Sequence, residues 1–140
     1  MRKIMAIMTS VFIVLVGCAT APRGTVVEVP GGSYQAIGVV DLAEMLKTKD
    51  FFLVNVHVPY AGEIPKTDAF ISYQDTTARL GDYPHDKQAK IVVYCLTNHM
   101  SGIAARDLVL AGYKNVYLVD GGMTAWREAG FELLDRTASE

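Results

Sequence analysis

The chain carries the sequence IVVYCLTNHMSG at residues 91–102. Residues 91–94 are a short apolar run, which predicts a strand buried on both faces, and a helical pattern follows at residues 103–111. Cys95 therefore lies in a strand-to-helix turn, where the free N–H groups and positive dipole end of the helix favour a thiolate. We take Cys95 as the candidate reactive residue, and a buried structural cysteine is the open alternative.

Strand-like and helix-like segments alternate on both sides of this turn. Apolar patterns predict strands at residues 35–38, 51–56, 69–71, 91–94 and 116–119, and helices at residues 41–46, 76–80, 103–111 and 123–129. This order predicts an α/β fold with right-handed crossovers and a mostly parallel sheet that is covered on both faces. Ligands of such sheets bind beyond the carboxyl ends of the strands, which is where Cys95 lies.

Length and composition limit the possible functions. The chain has 140 residues, which suits a single domain, and its formal net charge is −2. Basic residues form no run beyond the extreme N-terminus, so nucleic-acid binding is disfavoured. The three histidines and the cysteines have no metal-ligand spacing, and no cofactor motif is present, so we predict neither a metal nor a cofactor.

The N-terminus has the pattern of an export signal. Arg2 and Lys3 precede an apolar stretch at residues 4–16, which predicts a signal peptide over residues 1–17. Residues 15–18, Leu-Val-Gly-Cys, resemble the lipobox of bacterial lipoproteins, which implies lipidation of Cys18. An uncleaved membrane anchor is the alternative, but the apolar stretch is shorter than the roughly 20 residues that span a bilayer.

Lipidation of Cys18 has consequences for the rest of the chain. The protein is then exported and lipid-anchored to the cell-envelope membrane, facing the periplasm or the cell exterior. Cys95 is left as a single thiol with no intrachain disulfide partner, and in an oxidising compartment such a thiol is either buried or used. Proline and glycine in residues 18–33 predict a flexible tether, followed by a folded domain over residues 34–135 and a tail at residues 136–140.

Several short motifs accompany the Cys95 turn in a characteristic order. They are Ser-Gly-Ile-Ala-Ala at residues 101–105, Ala-Gly-Tyr-Lys-Asn-Val-Tyr at 111–117, Asp-Gly-Gly-Met at 120–123 and Trp-Arg at 126–127. With residues 91–95, their order and spacing resemble the rhodanese-like (sulfurtransferase) family over about residues 34–134. The resemblance implies a three-layer sandwich with a mostly parallel central sheet and helices on both faces.

The resemblance also implies a chemistry for Cys95. Its thiolate would take the outer sulfur of a sulfane-sulfur donor, become a persulfide and pass that sulfur to a thiol or cyanide-like acceptor. The backbone N–H groups of the active-site loop would stabilise the charged sulfur. That loop comprises Leu96, Thr97, Asn98, His99, Met100 and Ser101. Ser101 is either a hydrogen-bond donor to the sulfur, an N-cap of the following helix, or both.

The loop departs from the family pattern in its charge. Family loops often carry arginine directly after the cysteine and again within the loop, with glycine between them; this chain has Leu96, Met100 and Asn98 instead. We expect Asn98 to adopt the left-handed conformation that glycine would supply. His99 is the one candidate cation, and an exposed, uninvolved histidine is the alternative. Without arginine forks, affinity for anionic donors such as thiosulfate is expected to be low.

Three other positions bear on the site. His57 follows Asn55-Val56 where many family members have Asp-Val-Arg, and it either lies near the site mouth or has a local structural role. Residues 62–65 read Gly-Glu-Ile-Pro where the family often has Gly-His-Ile-Pro, which predicts a specialised loop. Trp126 is either a wall of the active-site pocket or a core residue.

These features favour a membrane-tethered sulfurtransferase or persulfide carrier that uses Cys95. The alternative is a non-catalytic docking or sulfide-sensing module that serves another envelope protein. Cysteine phosphatases and arsenate reductases, built on a related loop, are disfavoured because they need an arginine where Met100 and Ser101 stand.

Overall fold

The computed structural model describes residues 22–137. Its strands are Gly24–Val29 (β1), Gly32–Ile37 (β2), Phe52–Asn55 (β3), Ala69–Phe70 (β4), Lys90–Tyr94 (β5) and Asn115–Val119 (β6). Its α-helices are Val39–Met45 (α1), His99–Leu110 (α2) and Gly122–Glu128 (α3), and short 3-10 helices lie at Leu46–Thr48, Tyr73–Asp75 and Leu80–Asp82. Within residues 22–137, none of the helices has the length and apolar character needed to cross a membrane.

The strands form one sheet in the order β1-β2-β6-β5-β3-β4. The β1–β2 pair is antiparallel and all other pairs are parallel, with Val92 of β5 opposite Leu53 on one side and Tyr117 on the other. The carboxyl ends of β2, β3, β5 and β6 therefore meet at one edge of the sheet. The predicted α/β architecture with a mostly parallel sheet is confirmed.

Successive side chains of a strand point to opposite faces of the sheet, so the buried strands present apolar side chains on both faces. Helices cover each of these faces. Val93 of β5 packs with Leu108 of α2 on one face, and Val92 packs with Leu42 of α1 and Met123 of α3 on the other. All five are fully buried, and burial of a side chain of this size contributes about 1.5–3 kcal/mol. The two clusters hold β5 and β6 against the helices and so position the turns that follow these strands.

The flexible tether predicted over residues 18–33 is wrong for its second half. Residues Gly24–Val29 form β1, which pairs antiparallel with β2 at one edge of the sheet. Pro30 and Gly31 are the turn of this hairpin rather than part of a linker, and Gly31 has the positive φ, 87°, that favours glycine. The folded body therefore begins ten residues before the predicted boundary at residue 34, because β-branched residues outweigh the glycine and proline around them.

Other predicted elements compare unevenly with the structure. The strands near residues 35–38, 51–56, 69–71, 91–94 and 116–119 are confirmed within a few residues. The helix predicted at residues 76–80 is wrong: that segment is a turn between two 3-10 helices, and the Thr76 hydroxyl donates to Tyr73 O, a bond that competes with helix formation. The helix predicted from residue 103 begins earlier, at His99.

The tail predicted at residues 136–140 also begins too early. Arg136 donates from Nη2 to Thr67 O and from its backbone N–H to the Tyr60 hydroxyl, so it belongs to the folded body. The predicted signal peptide over residues 1–17 and the predicted lipidation site, Cys18, lie outside the described residues.

Candidate active site around Cys95

Cys95 is the first residue after β5 and lies at the carboxyl edge of the sheet. Its side chain points toward α2, within the cluster that contains Val93 and Ala104, and only 1% of it is exposed. Cys95 Sγ lies 3.3 Å from Ser101 Oγ in the first turn of α2. Within residues 22–137 it is a free cysteine.

The loop after Cys95 is shorter than the sequence predicted. Asn98 is the N-cap of α2, with φ −129° and ψ −22°, so the left-handed conformation expected for Asn98 is wrong. Gly102 N–H donates to Asn98 O at 2.9 Å, and the N–H groups of His99, Met100 and Ser101 therefore belong to the helix turn that lacks α-helical acceptors. The loop proper is only three residues, Leu96, Thr97 and Asn98.

Ser101 is not the N-cap, contrary to one of its predicted roles. It lies inside α2, where its hydroxyl donates to Asn98 O at 3.2 Å and contacts Cys95 Sγ. The other predicted role, a hydrogen bond with the sulfur, agrees with this contact. Either atom of the Sγ–Oγ pair is a possible donor.

Helix α3 holds the loop from the opposite side. Met123 N–H donates to Cys95 O and Thr124 N–H donates to Leu96 O, each at 2.9 Å. Gly122 makes this contact possible: a Cβ atom there would lie 2.2 Å from Cys95 O and 2.7 Å from Thr97 O, and its φ is +53°. Gly122, the second glycine of the Gly-Gly pair seen in the sequence, is thus a close-packing requirement of the Cys95 loop.

Asp120 is a site residue that the sequence analysis did not single out. It follows β6 at the same edge of the sheet, and its Oδ1 accepts a hydrogen bond from Asn98 Nδ2 at 2.8 Å. Gly121 N–H donates to Asn98 Oδ1, also at 2.8 Å. The sequence feature that could have identified Asp120 is its position directly after β6, a central parallel strand next to the strand that precedes Cys95.

The remaining loop side chains divide into two sets. Leu96 and Met100 are half-buried and pack against opposite hydrophobic clusters. Thr97, Asn98 and His99 are exposed. Solvent at the loop therefore meets polar side chains and His99, while the two positions that often carry arginine in the family anchor the loop to the core.

His57 lies just beyond β3, at the same edge as Cys95, but no hydrogen bond joins it to the Cys95 loop. Its backbone N–H donates to Asn55 Oδ1, and its Nδ1 is buried without a hydrogen-bond partner. Burial lowers the pKa of His57, because the charged imidazolium is desolvated there. The role of the His57 side chain, at the site mouth or in the local structure, stays a prediction.

Trp126 lies on the other face of the sheet from Cys95. It is buried in the cluster with Met123, stacks on Phe131 with ring centroids 4.5 Å apart, and donates from Nε1 to Glu132 O. Of its two predicted roles, the structure places it in the core.

The loop that carries residues 62–65 is built around a buried carboxylate. Glu63 is 2% exposed, and its Oε1 forms an ion pair with Arg136 Nε at 2.5 Å, although the pair is not aligned as a hydrogen bond. Backbone hydrogen bonds between Glu63 and Leu134 run in both directions. Tyr94 contributes from β5, since its hydroxyl accepts from Ile64 N–H. The C-terminal segment thus closes over this loop, at the position where the family often has histidine.

The arrangement around Cys95 suits chemistry that places negative charge on sulfur. A thiol lies at the first turn of a helix, 3.3 Å from a hydroxyl oxygen. Among residues 22–137 no group of three or more His, Cys, Asp or Glu side chains is arranged to hold a metal ion.

Comparison with known proteins defines the class. Residues 38–129 match the model of the rhodanese-like domain, and the chain belongs to that family. A thiosulfate sulfurtransferase, GlpE, of Pseudoalteromonas translucida is 28% identical over 109 residues, which are 74% of this chain and 99% of that protein.

Solved structures show the same fold. A rhodanese-like domain of an Anabaena protein superposes with a TM-score of 0.65 at 22% identity, covering 75% of this chain and 82% of that one. A rhodanese-related protein of Thermoplasma volcanium gives a TM-score of 0.61 at 24% identity, covering 71% and 96% of the two chains. The rhodanese-like resemblance read from the sequence is confirmed.

Proposed function

We propose that this protein is a sulfurtransferase that accepts a sulfane sulfur atom on Cys95 and passes it to a nucleophilic acceptor. The observation that carries the proposal is the position of Cys95 Sγ, beneath the first turn of α2 and 3.3 Å from Ser101 Oγ. Membership of the rhodanese-like family and similarity to a thiosulfate sulfurtransferase support it.

The reaction has two balanced steps. The Cys95 thiolate attacks the outer sulfur of thiosulfate, a sulfur–sulfur bond forms, and the bond to the inner sulfur breaks so that sulfite leaves with its electron pair. The resulting persulfide anion is then attacked at its outer sulfur by a thiolate or cyanide. That sulfur leaves on the acceptor, and the Cys95 thiolate is restored.

Backbone geometry supports stabilisation of the persulfide anion. The carbonyl oxygens of Cys95 and Leu96 face α3, where they accept hydrogen bonds from Met123 and Thr124. In a trans peptide the N–H points opposite to the carbonyl, so the N–H groups of Leu96 and Thr97 point away from α3. Together with the free N–H groups of the first turn of α2, they are suited to surround a charged sulfur.

The Ser101 hydroxyl has two acceptors within reach. In the resting thiol it donates to Asn98 O, which leaves Oγ free to accept from the Cys95 S–H. Once the sulfur is an anion, rotation of the hydroxyl turns its proton toward Sγ. This exchange adds one charge-assisted hydrogen bond to the anion, at the expense of a neutral one.

The test is persulfide formation at Cys95. The chain is incubated with thiosulfate, and separately with inorganic polysulfide, and the peptide that contains Cys95 is examined by mass spectrometry for one added sulfur atom. We expect the addition in the wild type and in Cys18→Ser, and its absence in Cys95→Ser. A chain that gains no sulfur at Cys95 from either donor is not a sulfurtransferase.

A second candidate function is a non-catalytic docking or sulfide-sensing module. The 1% exposure of Cys95 favours it, because a buried thiol reacts slowly unless the loop opens. The same experiment separates the two functions when a thiol or cyanide is added after the donor and loss of the added sulfur is followed. A docking module takes up no sulfur, and a sensor takes up sulfur from sulfide-derived polysulfide but does not release it to a thiol or cyanide.

We further propose that the protein acts at the cell envelope, anchored by a lipid on Cys18 and facing the periplasm or the cell exterior, where an envelope protein is a candidate partner. The sequence of residues 1–18 supports this location. Metabolic labelling with a tagged fatty acid tests it: the label should enter the wild-type chain and be lost in Cys18→Ser. Equal labelling of both chains would overturn the anchor.

A further inference from the structure

A negatively charged side chain, Asp120, is held beside the Cys95 loop. Asn98, the N-cap of α2, donates from Nδ2 to Asp120 Oδ1, and Gly121 N–H donates to Asn98 Oδ1, each at 2.8 Å. Asn98 O is in turn 3.2 Å from Ser101 Oγ, which touches Cys95 Sγ. A short chain of contacts therefore holds the Asp120 carboxylate beside the loop.

No lysine or arginine of the described part of the chain offsets this charge. Residues 95–101 and 120–122 contain neither lysine nor arginine, and Asp120 takes part in no ion pair among residues 22–137. Lysines gather instead at the amino ends of the strands, such as Lys90 at the start of β5 and Lys114 just before β6. They stand at the opposite edge of the sheet from Cys95.

We propose that Asp120 is a specificity-determining residue, which disfavours dianionic sulfur donors relative to donors of lower negative charge. This inference rests on the proposed sulfurtransferase function and names the substrate class: thiosulfonates and other monoanionic or neutral sulfane-sulfur compounds, rather than the thiosulfate dianion. Asn98 is a positioning residue, because it acts through the carboxylate that it holds.

Methanethiosulfonate is the matched probe for this idea. It has a methyl group in place of one charged oxygen of thiosulfate, so the two donors are similar in size and differ by one charge. The Cys95 thiolate attacks the terminal sulfur of either donor and forms the same persulfide anion. The leaving group, with the bonding electron pair, is methanesulfinate in one case and sulfite in the other.

The expected effect follows from Coulomb's law. For charges roughly 10 Å apart in water, removal of the Asp120 charge raises the rate constant for encounter with a monoanion about twofold. The repulsion energy is twice as large for a dianion, so its encounter rate constant rises about fourfold. At 1 M salt the Debye length falls to about 3 Å, and both increases should disappear.

The experiment compares second-order rate constants of persulfide formation at a fixed pH, measured by quenched intact mass for both donors. Asp120→Asn is the main variant, because its amide oxygen still accepts from Asn98 while the charge is gone. Glu28→Gln is the matched control: Glu28 is exposed, pairs with Ser33 near the start of β2, and lies at the opposite edge of the sheet. Thr97→Arg, at an exposed loop position, is the variant of opposite design.

We expect Asp120→Asn to lower the ratio of methanethiosulfonate to thiosulfate rate constants about twofold at low salt, and Thr97→Arg to lower it further. Glu28→Gln should leave the ratio unchanged. A ratio that is the same in Asp120→Asn and the wild type, or that changes equally in Glu28→Gln, overturns the specificity role alone. No persulfide from either donor overturns the sulfurtransferase function as well.

Discussion

Two loops at the carboxyl edge of the sheet are held in different ways. The Cys95 loop is fixed by backbone hydrogen bonds from Met123 and Thr124, which approach over the bare backbone of Gly122. The loop of residues 60–67 shares two backbone hydrogen bonds with Leu134, but side chains hold it as well, including the ion pair between buried Glu63 and Arg136.

The difference shows how each loop depends on the sequence. Backbone contacts tolerate many side chains but require glycine where two backbones approach, so the Cys95 loop depends on one small residue. Side-chain contacts require a matched pair, so the loop of residues 60–67 depends on a residue about seventy positions away in the chain. The first loop is sensitive to added volume, and the second to unbalanced charge.

The largest effect is expected from Gly122→Ala. The added Cβ would meet Cys95 O at 2.2 Å and Thr97 O at 2.7 Å, and the atoms it meets are backbone, so either α3 or the Cys95 loop must move. We expect a loss of about 3 kcal/mol or more in the free energy of unfolding. Urea denaturation measures it, and persulfide formation at Cys95 should fall in the folded fraction.

Gly130→Ala is the matched control for this prediction. Its φ is also positive, +86°, but a Cβ there would have no heavy atom within 4 Å. Only the backbone cost of the left-handed region remains, about 1 kcal/mol. If the two substitutions shift the urea midpoint equally, close packing of Gly122 on the loop is not what requires glycine there.

A smaller effect is expected from Arg136→Ala, and it should exceed that of Glu63→Gln. Loss of the arginine, which is 64% exposed, leaves a charged carboxylate that is only 2% exposed. Loss of the carboxylate leaves an arginine that water can solvate. We expect about 2 kcal/mol for Arg136→Ala and about 1 kcal/mol or less for Glu63→Gln.

The double variant sharpens this prediction. With both partners replaced, no buried charge remains, so Glu63→Gln with Arg136→Ala should be more stable than Arg136→Ala alone. Urea midpoints of the four proteins give the coupling energy directly. Additive losses would mean that the pair contributes nothing beyond its separate contacts.

The same two loops show what the sequence could and could not predict. The β-branched strand before Cys95 and the helix after it were readable because local pattern decides them, and the family motifs then placed the rest of the sheet. Asp120 was missed because its partner Asn98 is 22 positions away, and single-sequence patterns carry no such pairing. The Glu63–Arg136 pair was missed for the same reason.

Errors of local structure have local causes. The sequence predicts a tether where β1 lies because Pro30 and Gly31 are typical of linkers, although the same residue types also make hairpin turns. The left-handed conformation expected for Asn98 was wrong because α2 begins at the next residue, His99. Asn98 is the N-cap of that helix, and its φ is negative. In both cases the conformation depends on a neighbouring element: β1 pairs with β2, and Asn98 precedes α2.

The smallest effects on stability are expected from replacing two buried tyrosines by phenylalanine. The hydroxyl of one forms hydrogen bonds, and that of the other has no hydrogen-bond partner. The Tyr94 hydroxyl accepts from Ile64 N–H and contacts Thr67 Oγ1, so it supports the loop of residues 60–67. The Tyr83 hydroxyl is buried without a hydrogen-bond partner. We expect Tyr94→Phe to cost about 1 kcal/mol at neutral pH, and Tyr83→Phe to change stability by less than about 0.5 kcal/mol.

Alkaline pH should separate the wild type from Tyr83→Phe. Burial raises the pKa of Tyr83 to about 12, and the neighbouring Thr76 hydroxyl offsets part of this rise. An unfolded tyrosine has a pKa of about 10, so between about pH 10 and 12 the unfolded state loses its proton first, and stability falls as pH rises. Burial raises the pKa of Tyr94 in the same direction, so Tyr83→Phe should reduce this loss without abolishing it. Urea midpoints that fall equally with pH in both proteins would show that the Tyr83 hydroxyl is solvated in the folded state.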